Sequence, residues 1–428
     1  MSIMIAAKRK SIIIIGAGMA GSKLASALLE RNGSDYDITL IGEEAQAGYN
    51  RIMLSSLLAN EITEKDMALV DTQAMTNDGV TVITNDPVVE VCTQQRQVKL
   101  ASNQIIIYDK LIFATGSRAS MLPIEGCDAT NVMGFRNWQD VQAMAELPEK
   151  SSVCVIGGGL LGLEAAVGLI KRGHNVVLVH RSEHILNRQL DVAAANLLQK
   201  TLEDRGVEFR LGFAPTKLLV TQPAAKSNAI KVHSVCLASG EMISTSLVIM
   251  ATGITPEVTL ANKAGLDIGR AITVNRFMES SIENIYALGE CCEFEGNTFG
   301  LVAPIWQQLD TLINRINGVD SGFNVEPIPT KLKVSGINLF SVGDINPQGN
   351  AHCITFMDSA QNSYRKLVVN DGKLTAAILY GNVADGSWYF QLIQNKTHIR
   401  DQLDQLVFGE AYCQIKNDQV KANNIKVA

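Results

Sequence analysis

Three glycines near the start of the chain have the spacing of a phosphate-binding turn. They fall in a G-x-G-x-x-G pattern over residues 16–21. A pyrophosphate needs backbone N–H donors at short range, and a helix N-terminus supplies free N–H groups and a positive dipole end. Gly16 permits the sharp turn, Gly18 lets the backbone approach phosphate, and Gly21 lets the next helix pack on its strand. The pattern predicts a dinucleotide site formed by Gly16, Gly18, Met19, Ala20 and Gly21.

The residues around this turn predict a βαβ unit that holds it in place. Residues 12–15 are a run of isoleucines, typical of a strand buried on both faces, and residues 23–29 have the pattern of a helix. A second strand over residues 38–41 leads into Glu43 and Glu44, about twenty residues past the glycines. These acids can accept hydrogen bonds from ribose hydroxyls. A tight turn without a ligand is the weaker interpretation, because strand, helix, second strand and acid all agree.

A second copy of the same unit begins at residue 153. A strand over residues 153–156 leads into a glycine turn over 157–162, a helix through Ile170 and a strand over 176–179. The copy predicts a second dinucleotide site, and we assign to it Gly157, Gly159, Leu160, Leu161, Gly162, Glu164, His180 and Arg181.

The second copy departs from the NAD pattern at the end of its second strand. His180 and Arg181 stand where an acid would hold the adenosine ribose. An arginine there can accommodate a 2′-phosphate, which favours NADPH, but a solvated surface charge explains Arg181 equally well. Glu164 has two interpretations as well: an exposed residue in the first turn of the helix, or a group placed to meet the nicotinamide amide.

Two dinucleotide sites in one chain favour relay chemistry. Nicotinamide gives only hydride, whereas flavin accepts hydride and can release single electrons, so FAD converts a two-electron donor into a one-electron source. We therefore expect FAD at the first site and NADH or NADPH at the second. The six histidines form no nucleophilic or metal-ligating group, and no metal site is predicted.

Composition limits the other classes of function. The 428 residues are 46% hydrophobic and 19% charged, as in a globular protein of roughly two to four domains. A net charge of -6 argues against a nucleic-acid groove or an anionic membrane surface. No apolar run approaches the ~18–20 residues of a membrane span, and the eight cysteines form no CxxC pair, so we expect a cytoplasmic, reducing location. Adjacent Cys291 and Cys292 are interpreted as two thiols in preference to a strained disulfide.

Three further strings extend the pattern. Two apolar runs each end in Ala-Thr-Gly, at residues 114–116 and 251–253, and residues 285–290 read Ile-Tyr-Ala-Leu-Gly-Glu. With these strings, residues 10–345 resemble the pyridine nucleotide-dependent FAD reductases. The resemblance implies that Gly289 and Glu290 hold the ribityl or pyrophosphate part of the flavin, although the family more often has Asp at the latter position. It also implies that Ala114, Thr115 and Gly116 serve the FAD site, and that Ala251, Thr252 and Gly253 serve the NAD(P) site.

Within that superfamily the chain is similar to the reductase portion of assimilatory NAD(P)H nitrite reductase large subunits and to nitrate reductase electron-transfer subunits. The similarity lies in residues 49–55, 187–191, 300–304, 331–336 and 339–344. It implies that Arg51 and Ser55 lie near the flavin and that Pro304 and Gln308 flank its ring. No residue is a certain catalytic group; Arg51, Ser55 and Glu164 are the candidates.

The resemblance also implies a function. Those nitrite reductases continue into iron–sulfur and siroheme regions with grouped cysteines, which this sequence lacks. We therefore expect an electron-donor module for a separate iron–sulfur or molybdenum protein in nitrate or nitrite assimilation, with the resemblance favouring NADH. A rubredoxin or ferredoxin reductase is the main alternative. A CoA-disulfide reductase would need a redox cysteine earlier than Cys92, the first one, and a non-catalytic redox sensor would not need both sites. A homodimer is compatible with all of these.

The expected fold is α/β, with two Rossmann-like three-layer domains and a small α+β C-terminal domain. We place the FAD-binding domain at residues 1–118 and 250–325, the NAD(P)-binding domain at 119–249 and the C-terminal domain at 326–428. An Asp-Gly hairpin is predicted at residues 366–379. Gln222-Pro223 predicts a turn or crossover, and the proline-containing residues 326–329 predict a linker.

Overall fold

The computed structural model describes residues 9–33, 35–221, 229–326, 328–334, 336–347 and 349–413. The predicted turn at Gln222-Pro223 and Pro327 of the predicted linker lie outside these residues. Helices in the described part are, in chain order, α1 (Met19–Asn32), α2 (Leu54–Leu58), α3 (Thr72–Asn77), α4 (Trp138–Ala145), α5 (Leu160–Lys171), α6 (Val192–Glu203), α7 (Thr259–Lys263), α8 (Val302–Ile316), α9 (Gly386–Gln394) and α10 (Leu403–Leu406).

The strands are mostly short and belong to several sheets. They are β1 (Lys10–Ile15), β2 (Tyr36–Ile41), β3 (Thr81–Ile83), β4 (Val88–Cys92), β5 (Gln97–Leu100), β6 (Ile105–Ile107), β7 (Lys110–Phe113), β8 (Ser117–Ala119), β9 (Val132–Met133), β10 (Ser152–Ile156), β11 (Asn175–His180), β12 (Val207–Leu211), β13 (Pro215–Val220), β14 (Val232–Leu237), β15 (Met242–Ser244), β16 (Leu247–Met250), β17 (Ile254–Pro256), β18 (Ile272–Thr273), β19 (Ile285–Ala287), β20 (Cys292–Phe294), β21 (Asn297–Thr298), β22 (Thr330–Val334), β23 (Ile337–Val342), β24 (His352–Asp358), β25 (Ser363–Asn370) and β26 (Lys373–Tyr380).

The first unit is built on a five-stranded parallel sheet in the order β19-β7-β1-β2-β3. Ile12, Ile13 and Ile14 in its central strand are fully buried, as the isoleucine run predicts for a strand covered on both faces. The predicted first helix is confirmed as α1, which begins directly after Gly18 and packs against α8. A three-stranded antiparallel sheet, β4-β5-β6, is attached at one side.

The second unit repeats this plan. Its five-stranded parallel sheet has the order β12-β11-β10-β16-β9, and α5 packs on β10 and β11. Strands β8 and β17 form an antiparallel pair between the two units. The first sheet takes strands from residues 10–113 and 285–287, whereas the second takes strands from residues 132–250. The boundaries at 118, 249 and 325 stay a prediction.

The C-terminal unit is a five-stranded antiparallel sheet, β22-β23-β26-β25-β24, with α9 on one face. The predicted Asp-Gly hairpin is confirmed, since Asp371 and Gly372 both have positive φ, at 49° and 70°. The opposite face buries Val368 and Ile378 in one cluster with residues of the second unit. The mixed α/β class with a small α+β unit at the end agrees with the prediction.

Candidate dinucleotide-binding site

A cavity of about 510 Å³ opens at the carboxyl edge of the first sheet. The segments that follow β1, β2, β7 and β19 all contribute to its wall, as expected for ligand sites in open α/β sheets. The second unit contributes the first residues of α5. The predicted residues that line the cavity are Gly16, Gly18, Met19, Ala20, Glu43, Glu44, Arg51, Ser55, Ala114, Thr115, Gly116, Leu160, Leu161, Glu164, Gly289 and Glu290.

The first glycine turn is fixed by backbone packing that only glycine allows. Gly16 has φ +113°, and a Cβ there would overlap the carbonyl oxygen of Ala114. A Cβ at Gly21 would overlap the carbonyl oxygen of Gly16, so this glycine lies behind the turn and does not line the cavity. Gly18 is the N-cap of α1, and no side chain caps the helix. The first N–H groups of α1 are therefore left for a ligand.

The second turn repeats this packing residue by residue. Gly157 has φ +127°, and a Cβ there would overlap the carbonyl oxygen of Ala251. A Cβ at Gly162 would overlap the carbonyl oxygen of Gly157, just as a Cβ at Gly21 would overlap that of Gly16. At Gly159, the N-cap of α5, a Cβ would meet nothing within 4 Å, and again no side chain caps the helix. In both units, the backbone carbonyl of the alanine in the Ala-Thr-Gly string thus packs against the first glycine of a turn.

The two acids after β2 differ in how firmly they are held. The side chain of Glu44 is 12% exposed, pairs with Arg51 and accepts a 2.6 Å hydrogen bond from the hydroxyl of Tyr49. The side chain of Glu43 is 57% exposed and lies 3.3 Å from Arg118. The Glu44 carboxylate is therefore the more firmly held of the two, a distinction that spacing alone could not make.

Arg136 and Ser117 belong to the site but were not predicted. Arg136 pairs with Glu290, and the Ser117 hydroxyl donates to the same carboxylate at 2.6 Å. The backbone carbonyl of Arg136 also accepts from Arg51 at 3.3 Å. No motif includes Arg136, which is 154 residues from Glu290 in sequence, so only the fold brings them together. The cavity is also lined by the unpredicted residues Glu257, Lys263 and Trp306.

Glu164 lies inside the cavity wall, so its interpretation as an exposed residue is wrong. Because α5 begins at Leu160, Glu164 belongs to the second turn of the helix and not to the first. Burial raises the pKa of its carboxyl to about 7, and a hydrogen bond with the Ser55 side chain opposes that rise. The carboxyl is therefore poised to gain or lose a proton near neutral pH.

Several predicted residues do not line this cavity. Pro304 and Gln308 are buried in α8, so the lining does not place them beside a ring. The Gln308 Oε1 instead accepts from the backbone N–H of Gly289 at 2.8 Å, which supports the turn after β19. In the second unit, the predicted residues that do not line the cavity are Gly157, Gly159, Gly162, His180, Arg181, Ala251, Thr252 and Gly253.

His180 and Arg181 lie at the end of β11 with different surroundings. The Nδ1 of His180 accepts from the N–H of Gly158 at 3.1 Å, and burial lowers the pKa of its ring. His180 is therefore neutral at pH 7. Arg181 is exposed, and the described part of the chain offers it no ion-pair partner.

The structure also describes the cysteines, the potential metal ligands and the lengths of the helices. Cys291 and Cys292 are buried free thiols, as expected. Among the described residues, no three His, Cys, Asp or Glu side chains are grouped so that they could hold a metal ion. In the same residues, every helix is too short or too polar to cross a membrane.

Comparison with known proteins agrees with this geometry. Residues 10–313 match the Pyridine nucleotide-disulphide oxidoreductase family, and residues 329–397 match the Rubredoxin NAD+ reductase C-terminal domain. The chain is 35% identical over 395 residues to the Nitrite reductase [NAD(P)H] of Bacillus subtilis, and 37% identical over 380 residues to the Assimilatory nitrate reductase electron transfer subunit of the same organism. These alignments cover 92% and 88% of this chain but 48% of each relative, so the chain spans about half their length.

A solved structure shows the same fold. The NADH:rubredoxin oxidoreductase from Clostridium acetobutylicum superposes with a TM-score of 0.76 and 26% identity, covering 97% of this chain and 100% of that one. The resemblance to nitrite reductase and nitrate reductase electron-transfer subunits is confirmed, as are the α/β fold class and the two cofactors FAD and NAD(P)H. The chain therefore belongs to the pyridine nucleotide-disulphide oxidoreductase family of FAD-dependent NAD(P)H oxidoreductases.

Proposed function

We propose that this chain takes hydride from NADH or NADPH into bound FAD and passes the electrons to a separate redox protein in nitrate or nitrite assimilation. One observation carries the proposal: a single cavity is lined both by the first glycine turn and by the first residues of α5. Ligands held by the two turns would therefore meet in one place. When bound, FAD accepts a hydride and releases electrons singly.

The residues of the first unit suit FAD. The bare backbone at Gly18 faces the cavity, where Arg51 supplies a cation and Glu44 supplies a fixed carboxylate. Such a set fits a pyrophosphate and an adenosine ribose. The residues proposed to bind FAD are Gly16, Gly18, Met19, Ala20, Gly21, Glu43, Glu44, Arg51, Ala114, Thr115, Gly116, Gly289 and Glu290. Pro304 and Gln308, which are buried in α8, would pack behind the residues that contact the flavin.

The second unit is proposed to bind the pyridine nucleotide. Its turn leaves open space at Gly159 and uncapped N–H groups at the start of α5. The residues proposed to bind NAD(P)H are Gly157, Gly159, Leu160, Leu161, Gly162, Glu164, His180, Arg181, Ala251, Thr252 and Gly253. Leu160, Leu161 and Glu164 are the members that reach the shared cavity.

The proposed acceptor is a separate iron–sulfur or molybdenum protein. Support comes from the names of two relatives, a nitrite reductase and an assimilatory nitrate reductase electron transfer subunit. A cytoplasmic location and a homodimer stay predictions.

A rubredoxin or ferredoxin reductase is the second candidate. It is supported by the match of residues 329–397 to a rubredoxin reductase domain and by the fold of the clostridial enzyme. A disulfide reductase is less well supported, because the described residues that line the cavity include no cysteine. A non-catalytic redox sensor does not explain why both turns are kept intact.

An acceptor assay separates these candidates. The protein is reduced anaerobically with NADH and mixed with a molybdenum nitrate reductase subunit, a siroheme nitrite reductase portion, rubredoxin or ferredoxin. We expect rapid flavin reoxidation with one of the first two. Rapid turnover with rubredoxin and none with either nitrogen-oxide reductase would overturn the assignment to nitrate or nitrite assimilation.

A further inference from the structure

Glu164 is a carboxyl group without a cationic partner, in a cavity whose other acids have one. Glu44 and Glu290 each pair with an arginine. For Glu164 the described residues provide no ion pair, and the side chain that lowers the pKa of its carboxyl is the neutral Ser55. The carboxyl lies where α5 reaches the wall of the shared cavity.

Among the described residues, the elements packed around α5 provide no ion pair to this carboxyl. The neighbouring helix α2 contains only leucine and serine. The ionisable residues described on the other packed elements are Cys154, His180, Glu208, Arg210 and Lys331. The charged residues that line the cavity are Glu43, Glu44, Arg51, Arg118, Arg136, Glu257, Lys263 and Glu290. None of them acts on the pKa of Glu164, which burial raises and the Ser55 hydrogen bond lowers.

We propose that the Glu164 carboxylate takes up a proton when the flavin is reduced and releases it when the flavin is reoxidised. The inference rests on the proposed function only in that this cavity holds the flavin. Glu164 is half-buried and no cation holds its carboxyl in the charged form, so a new negative charge nearby favours protonation of this carboxyl over that of the paired acids in the cavity.

The step balances in atoms and charge. Hydride transfer breaks the nicotinamide C–H bond and forms an N–H bond on the flavin ring, which gains two electrons and one negative charge. That charge disfavours a second one nearby, so Glu164 takes one proton from water. On reoxidation the ring gives two electrons to the acceptor and its proton to water, and Glu164 also returns its proton to water.

The test is the midpoint potential of the bound FAD as a function of pH. Redox dyes and a chemical reductant are equilibrated with the holoenzyme, so neither NAD(P)H nor an acceptor protein is needed. The potential falls by about 30 mV per pH unit when two electrons bring one proton, and by about 59 mV when they bring two. We expect the steeper slope in the wild type over a window that begins at about pH 7 and ends at the higher pKa that Glu164 has beside the reduced flavin. Below this window Glu164 is protonated in both redox states, and above it the carboxylate is charged in both. In Glu164→Gln we expect the shallower slope throughout.

A second variant keeps the inference testable if Glu164→Gln fails to bind FAD. Ser55→Ala removes a hydrogen bond that lowers the pKa of Glu164, so the steep window should move to higher pH. Equal slopes in the wild type and Glu164→Gln, or a window that does not move in Ser55→Ala, would overturn the inference. If the potential of Glu164→Gln still falls by about 59 mV per pH unit at low pH, the second proton binds to the flavin itself, and in that pH range the inference is contradicted. Failure of electron transfer to an acceptor would leave these slopes unchanged, so it is a separate result.

Discussion

At the scale of single residues, the end of β11 is where we expect the second site to bind the adenosine ribose. His180 fills the position of the usual acid, and its lowered pKa keeps it neutral, so no negative charge repels a 2′-phosphate. Arg181 follows it, exposed and without an ion-pair partner in the described residues. We therefore expect these two residues to discriminate NADPH from NADH.

We predict that Arg181→Gln raises the KM for NADPH by roughly tenfold, the value of one lost charge-assisted contact of about 1.4 kcal/mol, and leaves the KM for NADH within about twofold. Steady-state rates with an artificial acceptor measure both constants. Arg188→Gln, another exposed arginine on the loop after β11, serves as the control and should change neither. No change in the KM for NADPH in Arg181→Gln would mean that this residue is an ordinary surface charge, and an equal change for both nucleotides would mean that it contacts a group that they share.

Residues within motifs could be predicted from the sequence, and residues recruited by folding could not. The glycines of both turns could be predicted from their spacing, and at Gly16, Gly21, Gly157 and Gly162 an added Cβ would overlap a backbone carbonyl oxygen. Arg136 carries no such signal, since its role depends on a partner from a distant strand end. Gln308 was expected beside the flavin ring, yet it is buried and supports Gly289. The sequence does not show which side of a helix faces the ligand.

At the scale of elements, the C-terminal sheet is attached to the second unit through the start of α6. Asp191 is the N-cap of that helix, where its carboxylate accepts from the N–H of Ala194 at 3.1 Å. The same carboxylate accepts from the Tyr364 hydroxyl at 2.7 Å and lies 3.3 Å from the Lys366 Nζ. One side chain thus caps the start of a helix and joins two units.

We expect Asp191→Ala to lower the free energy of unfolding by roughly 2–4 kcal/mol, because it removes a cap and leaves buried polar partners without an acceptor. Asp71→Ala is the matched control, since Asp71 caps α3 in the same way but is exposed and joins nothing else, so it should cost about 1 kcal/mol. Denaturant unfolding of both variants gives the comparison. Equal costs would show that the bonds to β25 add no stability.

Helices and strands could be predicted from the sequence where a single local pattern determines them. The isoleucine run predicted a fully buried strand, and the Asp-Gly pair predicted the β25–β26 hairpin. The contact between the C-terminal sheet and α6 was not predicted, because the sequences of β25 and α6 show only that each has an apolar face. Which two faces meet is decided by the packing of the whole chain.

At the scale of the whole molecule, two copies of one βαβ unit are arranged so that their helix starts converge on one cavity. The first copy supplies a glycine turn to its wall, and the second supplies Leu160, Leu161 and Glu164. The internal repeat predicted two sites. The segments that link the two units pair as β8 and β17, and the sequence does not specify this antiparallel pairing.

The most direct test of this arrangement is the visible flavin absorbance during anaerobic titration with NADH or NADPH, in the wild type, Gly18→Val and Gly159→Val. We predict that the wild type is yellow and is bleached by the nucleotide. Gly159→Val should stay yellow but resist bleaching, since an added side chain there meets only open space in the protein and would obstruct the second turn alone. Gly18→Val should be colourless. A colourless wild type that takes up no FAD, or a Gly159→Val variant that loses its FAD, would contradict two separate dinucleotide sites meeting in one cavity.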